Sequence, residues 1–197
     1  MTCLKRLHSI PLIFHQICFG GVIPVHLASF SQSWREWNPD LYMVYWTDRT
    51  LRLFVAEKTP EYLPLFDGFL HEICRLDLGR YLLLKYYGGL VADLDCQCLC
   101  PIEPLLQGHE LLIAPEPILQ CHQKNVVNHG IQRLPRTAFM ASSAGHPFWS
   151  DLLATLFGTE YLLLANNAIV RTPQVPCCWT MLLKLSLNTK LVLLLLL

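Results

Sequence analysis

The chain has 197 residues, enough for one domain of ordinary size and hardly for two. Fifteen Lys+Arg balance 15 Asp+Glu, which excludes an electrostatic nucleic-acid binder and a polybasic membrane-surface protein. With 53% hydrophobic and 15% charged residues, it is too apolar for a disordered chain.

Pro11 to Phe19 (PLIFHQICF) reads as a first strand ending at Gly20-Gly21. Val25 to Trp37 carries Leu27, Phe30, Trp34 and Trp37 at helical spacing and stops before Asn38-Pro39. Leu41 to Trp46 is aromatic and β-branched, a second strand, and a less regular segment punctuated by Pro60 and Pro64 follows. Asp67 is the expected N-cap of a helix from Gly68 to about Tyr87, closed by Gly88-Gly89. Leu90 to Leu99 reads as extended, Glu110 to Ala114 and Thr137 to Ala141 as strands, and His146 to Phe157 as a helix with Pro147 in its first turn. This alternation predicts an α/β fold, a Rossmann-type, mostly parallel sheet with flanking helices and an incomplete C-terminal part. The expected division is a domain over residues 1–158 and a divergent or truncated apolar tail over 159–197.

Forty residues are leucine, and the chain ends LVLLLLL. A bilayer helix needs about 20 consecutive apolar residues. Lys184, Ser186, Asn188, Thr189 and Lys190 interrupt the tail, and His8, Pro11, His15 and Gln16 break the N-terminal stretch. No transmembrane span and no secretory signal are expected. Nine cysteines, an odd number, do not make an even disulfide framework; they read as buried thiols and favour a cytoplasmic location. Cys96, Cys98 and Cys100 would share one face of a strand, with Cys121 and His122 as further zinc ligands, but the spacing is not that of a structural zinc site.

The segment RLDLGRYLLLKYYGGLVADLDCQCLC, residues 75–100, carries the chemistry. Asp77 and Arg80 share a helix face. In an extended strand Asp93 and Asp95 would point to one side and Leu94 into the core. Two carboxylates at a strand end offer hard oxygen donors for Mn²⁺ or Mg²⁺, often shared with a diphosphate. Glu116, between Pro115 and Pro117, is a weak candidate for the acceptor side.

The order R-x-D-x-x-R-Y … G-G-x-x-A-D-x-D resembles the DXD-containing sugar transferases of glycosyltransferase family 32, which include initiating α-mannosyltransferases and, more distantly, clostridial glucosylating toxins. PLIFHQICFGG, SWREWNPDLYMVYWTD and TAFMASSAGHPFW are similar to three further blocks of that family, so the likeness spans about residues 11 to 149. The resemblance implies a GT-A nucleotide-sugar transferase that moves a hexosyl unit from a UDP- or GDP-sugar to a hydroxyl of a glycan, lipid or protein acceptor, retaining configuration. It implies that Asp95 contacts the metal, that Asp93 bridges metal and ribose, that Asp77 and Arg80 hold donor oxygens, and that His15, Gln16 and Ile17 lie under the base. Golgi location is also compatible with the family. Cys18 stands where the family has Trp, Val91 where it has an aromatic residue and Thr137 where it has Asn, while Arg171-Thr172-Pro173 lacks the glycine of a T-G-P segment. These departures define the alternative, a truncated or degenerate homologue that binds a nucleotide-sugar or a partner without turnover.

Overall fold

The computed structural model describes residues 9–115, 135–165 and 192–193, with side chains over 9–114 and 137–156. Its sheet grows from β3 (Gly89–Ala92), four residues buried on both faces. Parallel to it lies β1 (Ile13–Ile17), which in turn pairs in parallel with β2 (Tyr42–Trp46). On the other side β3 pairs antiparallel with β5 (Pro135–Ser142), β5 antiparallel with β4 (Leu111–Pro115), and β4 in parallel with the short β6 (Val192–Leu193). The strand order is β2-β1-β3-β5-β4-β6. The α/β architecture matches the sequence reading, and the sheet is mixed because β5 runs against both neighbours. Short apolar runs reveal strands but carry no record of direction.

The pleat sorts side chains to two cores. Ile17, Val91, Ile113 and Met140 meet α2 (Asp48–Lys58), α4 (Glu72–Tyr87) and α6 (Pro147–Ala165) on one face. On the other, Phe14, Leu90, Ala92 and Phe139 pack with Trp34 of α1 (Val25–Trp37) and Leu106 of α5 (Glu103–Leu106). Trp34 is stacked between Phe14 and Phe139, at 4.6 and 6.0 Å between ring centroids. Helix α6 is longer than expected; His146 Nδ1 accepts the Phe148 N–H at its start, so this histidine opens a helix. No helix among the described residues is long and apolar enough to cross a membrane.

Three expectations change. Helix α2 replaces the irregular segment: Thr47 and Thr50 form a reciprocal capping box, and Leu51, Phe54 and Val55 make the buried stripe. Asp67 is not an N-cap; it lies inside α3 (Leu63–Gly68) and pairs with Arg52, because Phe69 breaks the helical path and α4 restarts after His71. Extension ends at Ala92, not Leu99: the Cys96 N–H donates to the Asp93 carbonyl at 3.1 Å, so the Asp-x-Asp occupies a turn.

Glycines let α4 and β3 close on their neighbours. Gly79 faces Leu51 where a Cβ would sit 2.6 Å from its Cδ2. Gly89 has φ +92°, and a Cβ there would land on the Ile13 carbonyl oxygen.

Candidate active site

The chain reverses after α4, so the N-terminal half of that helix lies beside the C-terminal end of β3. This brings Asp77 and Arg80 to the acidic turn. Arg80 is buried, and its Nη1 donates to Asp77 Oδ1 at 3.3 Å and to Thr137 Oγ1 at 3.3 Å, while Nη2 donates to Asp93 Oδ1. Thr137 arrives because the antiparallel register of β3 with β5 continues past Ala92–Phe139, the Asp93 N–H donating to the Ala138 carbonyl at 2.9 Å. Arg80 Nε is a buried donor with no partner among the described residues.

Asp95 is exposed beside this cluster. Two carboxylates, Asp77 and Asp93, share one guanidinium, and Asp95 follows two residues after Asp93 on the exposed side of the turn. One Asp93 oxygen is held by Arg80. The other, with Asp95, leaves hard oxygen donors at the turn; no group of three His, Cys, Asp or Glu side chains able to hold a metal occurs among the described residues. A divalent ion that keeps waters and shares a diphosphate needs only one or two protein carboxylates, so the donor set fits Mn²⁺ or Mg²⁺.

His15, Gln16 and Ile17 are all buried in β1, and their contacts run elsewhere. His15 Nε2 donates to the Gly88 carbonyl at 3.0 Å and its Nδ1 accepts from Trp46 Nε1 at 3.2 Å, which fixes one neutral tautomer. Burial pushes this imidazole down to about 4, only partly opposed by the Gly88 hydrogen bond. Gln16 Oε1 accepts from Ser31 Oγ at 2.6 Å, and its Nε2 has no partner among the described residues. Cys18 is buried at the end of β1, its thiol donating to the Val22 carbonyl at 3.2 Å. Glu116, Cys121, His122, the Arg171-Thr172-Pro173 segment and, apart from β6, the leucine-rich end lie outside the described residues.

The loop after the acidic turn has no strand partner, and the last turn of α1 supplies its bonds. Trp34 Nε1 donates to the Cys96 carbonyl at 2.9 Å, and Ser33 Oγ accepts the Cys98 N–H at 2.9 Å. Asn38 Oδ1 accepts the Ile102 N–H at 2.6 Å, while its Nδ2 donates to Trp34 O at 3.1 Å and to Cys98 Sγ at 3.3 Å. In the sequence Trp34 stands only at helical spacing and Asn38 only as the stop of α1, although Ser33, Trp34 and Asn38 all fall in the SWREWNPDLYMVYWTD block. The alternation predicted for Cys96, Cys98 and Cys100 does not occur, since no strand runs there: Cys98 is buried and Cys100 exposed. No disulfide joins the five described cysteines.

An open mixed sheet, helices on both faces and an acidic turn beyond the central strand together define a GT-A-like fold. Consistent with this, a solved structure titled "PaToxG Glycosyltransferase" superposes with a TM-score of 0.57 at 13% identity, covering 89% of this chain and 68% of that one. Residues 24–112, which include the acidic turn, Asp77 and Arg80, match the family described as glycosyltransferase sugar-binding region containing DXD motif. "Inositol phosphoceramide mannosyltransferase 3" of Schizosaccharomyces pombe is 37% identical over 148 residues, 75% of this chain and 37% of the relative. "Mannosyl phosphorylinositol ceramide synthase SUR1" of Saccharomyces cerevisiae is 31% identical over 147 residues, 75% of this chain and 35% of the relative. The aligned part thus spans little more than a third of either relative.

Proposed function

We propose that this chain carries the donor-binding and catalytic part of a metal-dependent glycosyltransferase, which moves a hexosyl unit from a UDP- or GDP-sugar to an acceptor hydroxyl with retention. The observation that carries the reading is Arg80 bound to Asp77, Asp93 and Thr137 at the end of the central strand, beside the exposed Asp95. The mannosyltransferase names of the relatives support mannose as the sugar and an inositol phosphoceramide headgroup as the acceptor. Residues 1–158 would form this unit and 159–197 a divergent segment. The lack of a disulfide among the described cysteines supports a reducing compartment.

Asp95 and the second oxygen of Asp93 would hold the cation, which when bound neutralises charge on a departing diphosphate. Arg80 aims Asp93 by a charge-assisted bond and holds Asp77 in a fixed rotamer. Asp77 would accept hydroxyl donors of the sugar and fix its orientation. Arg80 Nε, buried and unmatched, is a donor available to a donor-substrate oxygen.

Cys18 favours a second reading, binding without turnover. Where the resembled family has Trp, this thiol is turned into the chain and bonded to Val22, and presents no ring to a base. Transfer and hydrolysis assays over a panel of UDP- and GDP-hexoses with Mn²⁺ separate the two. The enzyme reading expects release of nucleoside diphosphate that Asp95→Asn abolishes. Equal silence of wild type and variant, with a nucleotide-induced rise in Tm, establishes the binding reading instead.

A further inference from the structure

We propose that Ser33 and Asn38 are positioning residues for the acidic turn, acting from the far side of the sheet through the backbone of residues 96–102. This rests on the reading of the Asp93–Asp95 turn as the cation site.

Upstream the turn is anchored by the Asp93 N–H on the Ala138 carbonyl and by Arg80 on the Asp93 carboxylate; within it the Cys96 N–H donates to Asp93 O, and the Cys96 thiol reaches the Ala138 carbonyl at 3.5 Å. Downstream, the chain runs through residues without sheet partners, where backbone donors and acceptors need side-chain partners. Side chains within residues 33–38 supply them across 60 to 65 residues of sequence. Asn38 uses both ends of its amide: Oδ1 and Nδ2 each make one bond to the loop, at Ile102 and Cys98, and a second Nδ2 bond to Trp34 O fixes the side chain on the end of α1. The clamp is itself rigid, because Trp34 is locked between Phe14 and Phe139 while its indole N–H holds Cys96. Cys96 therefore sits between the turn's own bond and the clamp, and slack in the clamp reaches Asp95 through a single residue. A carboxylate that must meet a cation within tenths of an ångström depends on such outer partners.

Two readouts test this on Ser33→Ala and Asn38→Ala. The first is native-state hydrogen exchange, which needs no metal. Loss of the clamp is expected to raise exchange of the Cys96 amide about tenfold along with those of Cys98 and Ile102, while the β1 and β3 amides keep wild-type rates. The second is Mn²⁺ binding with UDP or GDP present, read by the resonance of free Mn²⁺; the variants are expected to bind about tenfold more weakly. A purely structural role would lower Tm and raise exchange at Cys98 and Ile102 only; an unchanged Cys96 amide, or wild-type Mn²⁺ affinity in either folded variant, overturns the proposal. Should Asn38→Ala not fold, Ser33→Ala decides, since it removes one oxygen and fills the helix with a better former. Failure of the wild type itself to bind Mn²⁺ with either nucleotide overturns the cation reading and with it the proposed purpose of the clamp, while the exchange result shows separately whether the clamp orders the turn.

Discussion

Replacing Arg80 by Met tests the electrostatic account of the site directly. The guanidinium side chain is only 6% exposed and Asp77 11%, so removing the cation takes the counter-charge from a nearly dry carboxylate and from a second, Asp93. Breaking a buried pair from one side costs about 3–5 kcal/mol, because the remaining charge keeps its desolvation penalty and loses its partner. At this chain length each kcal/mol moves the midpoint about 2–4 °C, so Arg80→Met should melt roughly 10 °C lower than wild type. Arg52 provides the control: its fork grips Asp67 at 2.8 and 2.6 Å, better geometry than Arg80 to Asp77, but both partners are open to water. Arg52→Met should leave the midpoint essentially where it is. The double variant Asp77→Asn/Arg80→Met should recover part of the loss, since it removes the buried charge. Differential scanning calorimetry measures all four proteins. If Arg80→Met melts no lower than Arg52→Met, or the double variant is no better than the single, burial of the charges is not what makes the cluster matter.

Three more outcomes are expected. His15 is held near 4 against about 6.5 when unfolded, so its contribution is fully present above pH 6.5 and is lost as pH falls toward 4; the difference approaches about 3 kcal/mol. The drop in Tm between pH 7 and pH 4.5 should therefore be smaller for His15→Gln than for wild type, and equal drops would refute it. Gly89→Ala puts a methyl group onto the Ile13 carbonyl and should yield little folded protein, whereas Gly68→Ala, with open space around it, should melt within a degree or two of wild type by the same scan. With a disulfide reagent at pH 8, exposed Cys100 should react first among the described cysteines; Cys98, buried and with its thiol pushed up by desolvation, should react only on unfolding, and rapid labelling of Cys98 would contradict its burial.

What the sequence disclosed follows from how local each signal is. Helix α1, strands β1 and β2 and the Gly88 stop of α4 were legible because periodicity and punctuation lie within a few residues. Asp77 and Arg80 were legible as a pair because three residues on a helix is a fixed geometry. Helix α2 was missed although its signal was present, a Thr-x-x-Thr box ahead of Leu51, Phe54 and Val55, because a Thr at N3 is a less familiar capping partner than Glu. The Asp-x-Asp reads as strand because Leu90 to Ala92 are apolar and extended; Asp93 is the kind of residue that opens a turn, but the turn at 93–96 is tied down from outside, by α1 and β5. Likewise the union of Arg80 with Thr137 and of Asn38 with Ile102 depends on strand direction and helix placement, which no local pattern records.

The reversed strand also governs the order in which the molecule can assemble. While β5 is absent, β3 and β4 both present open apolar edges, since β5 is the strand that pairs with each. A nascent chain that has reached β4 already holds β1, β2 and α4 and can form the parallel half of the sheet, but Arg80 then lacks Thr137 and the sheet is split. Such a split sheet is a template for strand capture between chains. Synthesis of this protein therefore passes through an interval of aggregation risk that ends only when residues 135–142 dock, and a chaperone that shields strand edges would act during that interval.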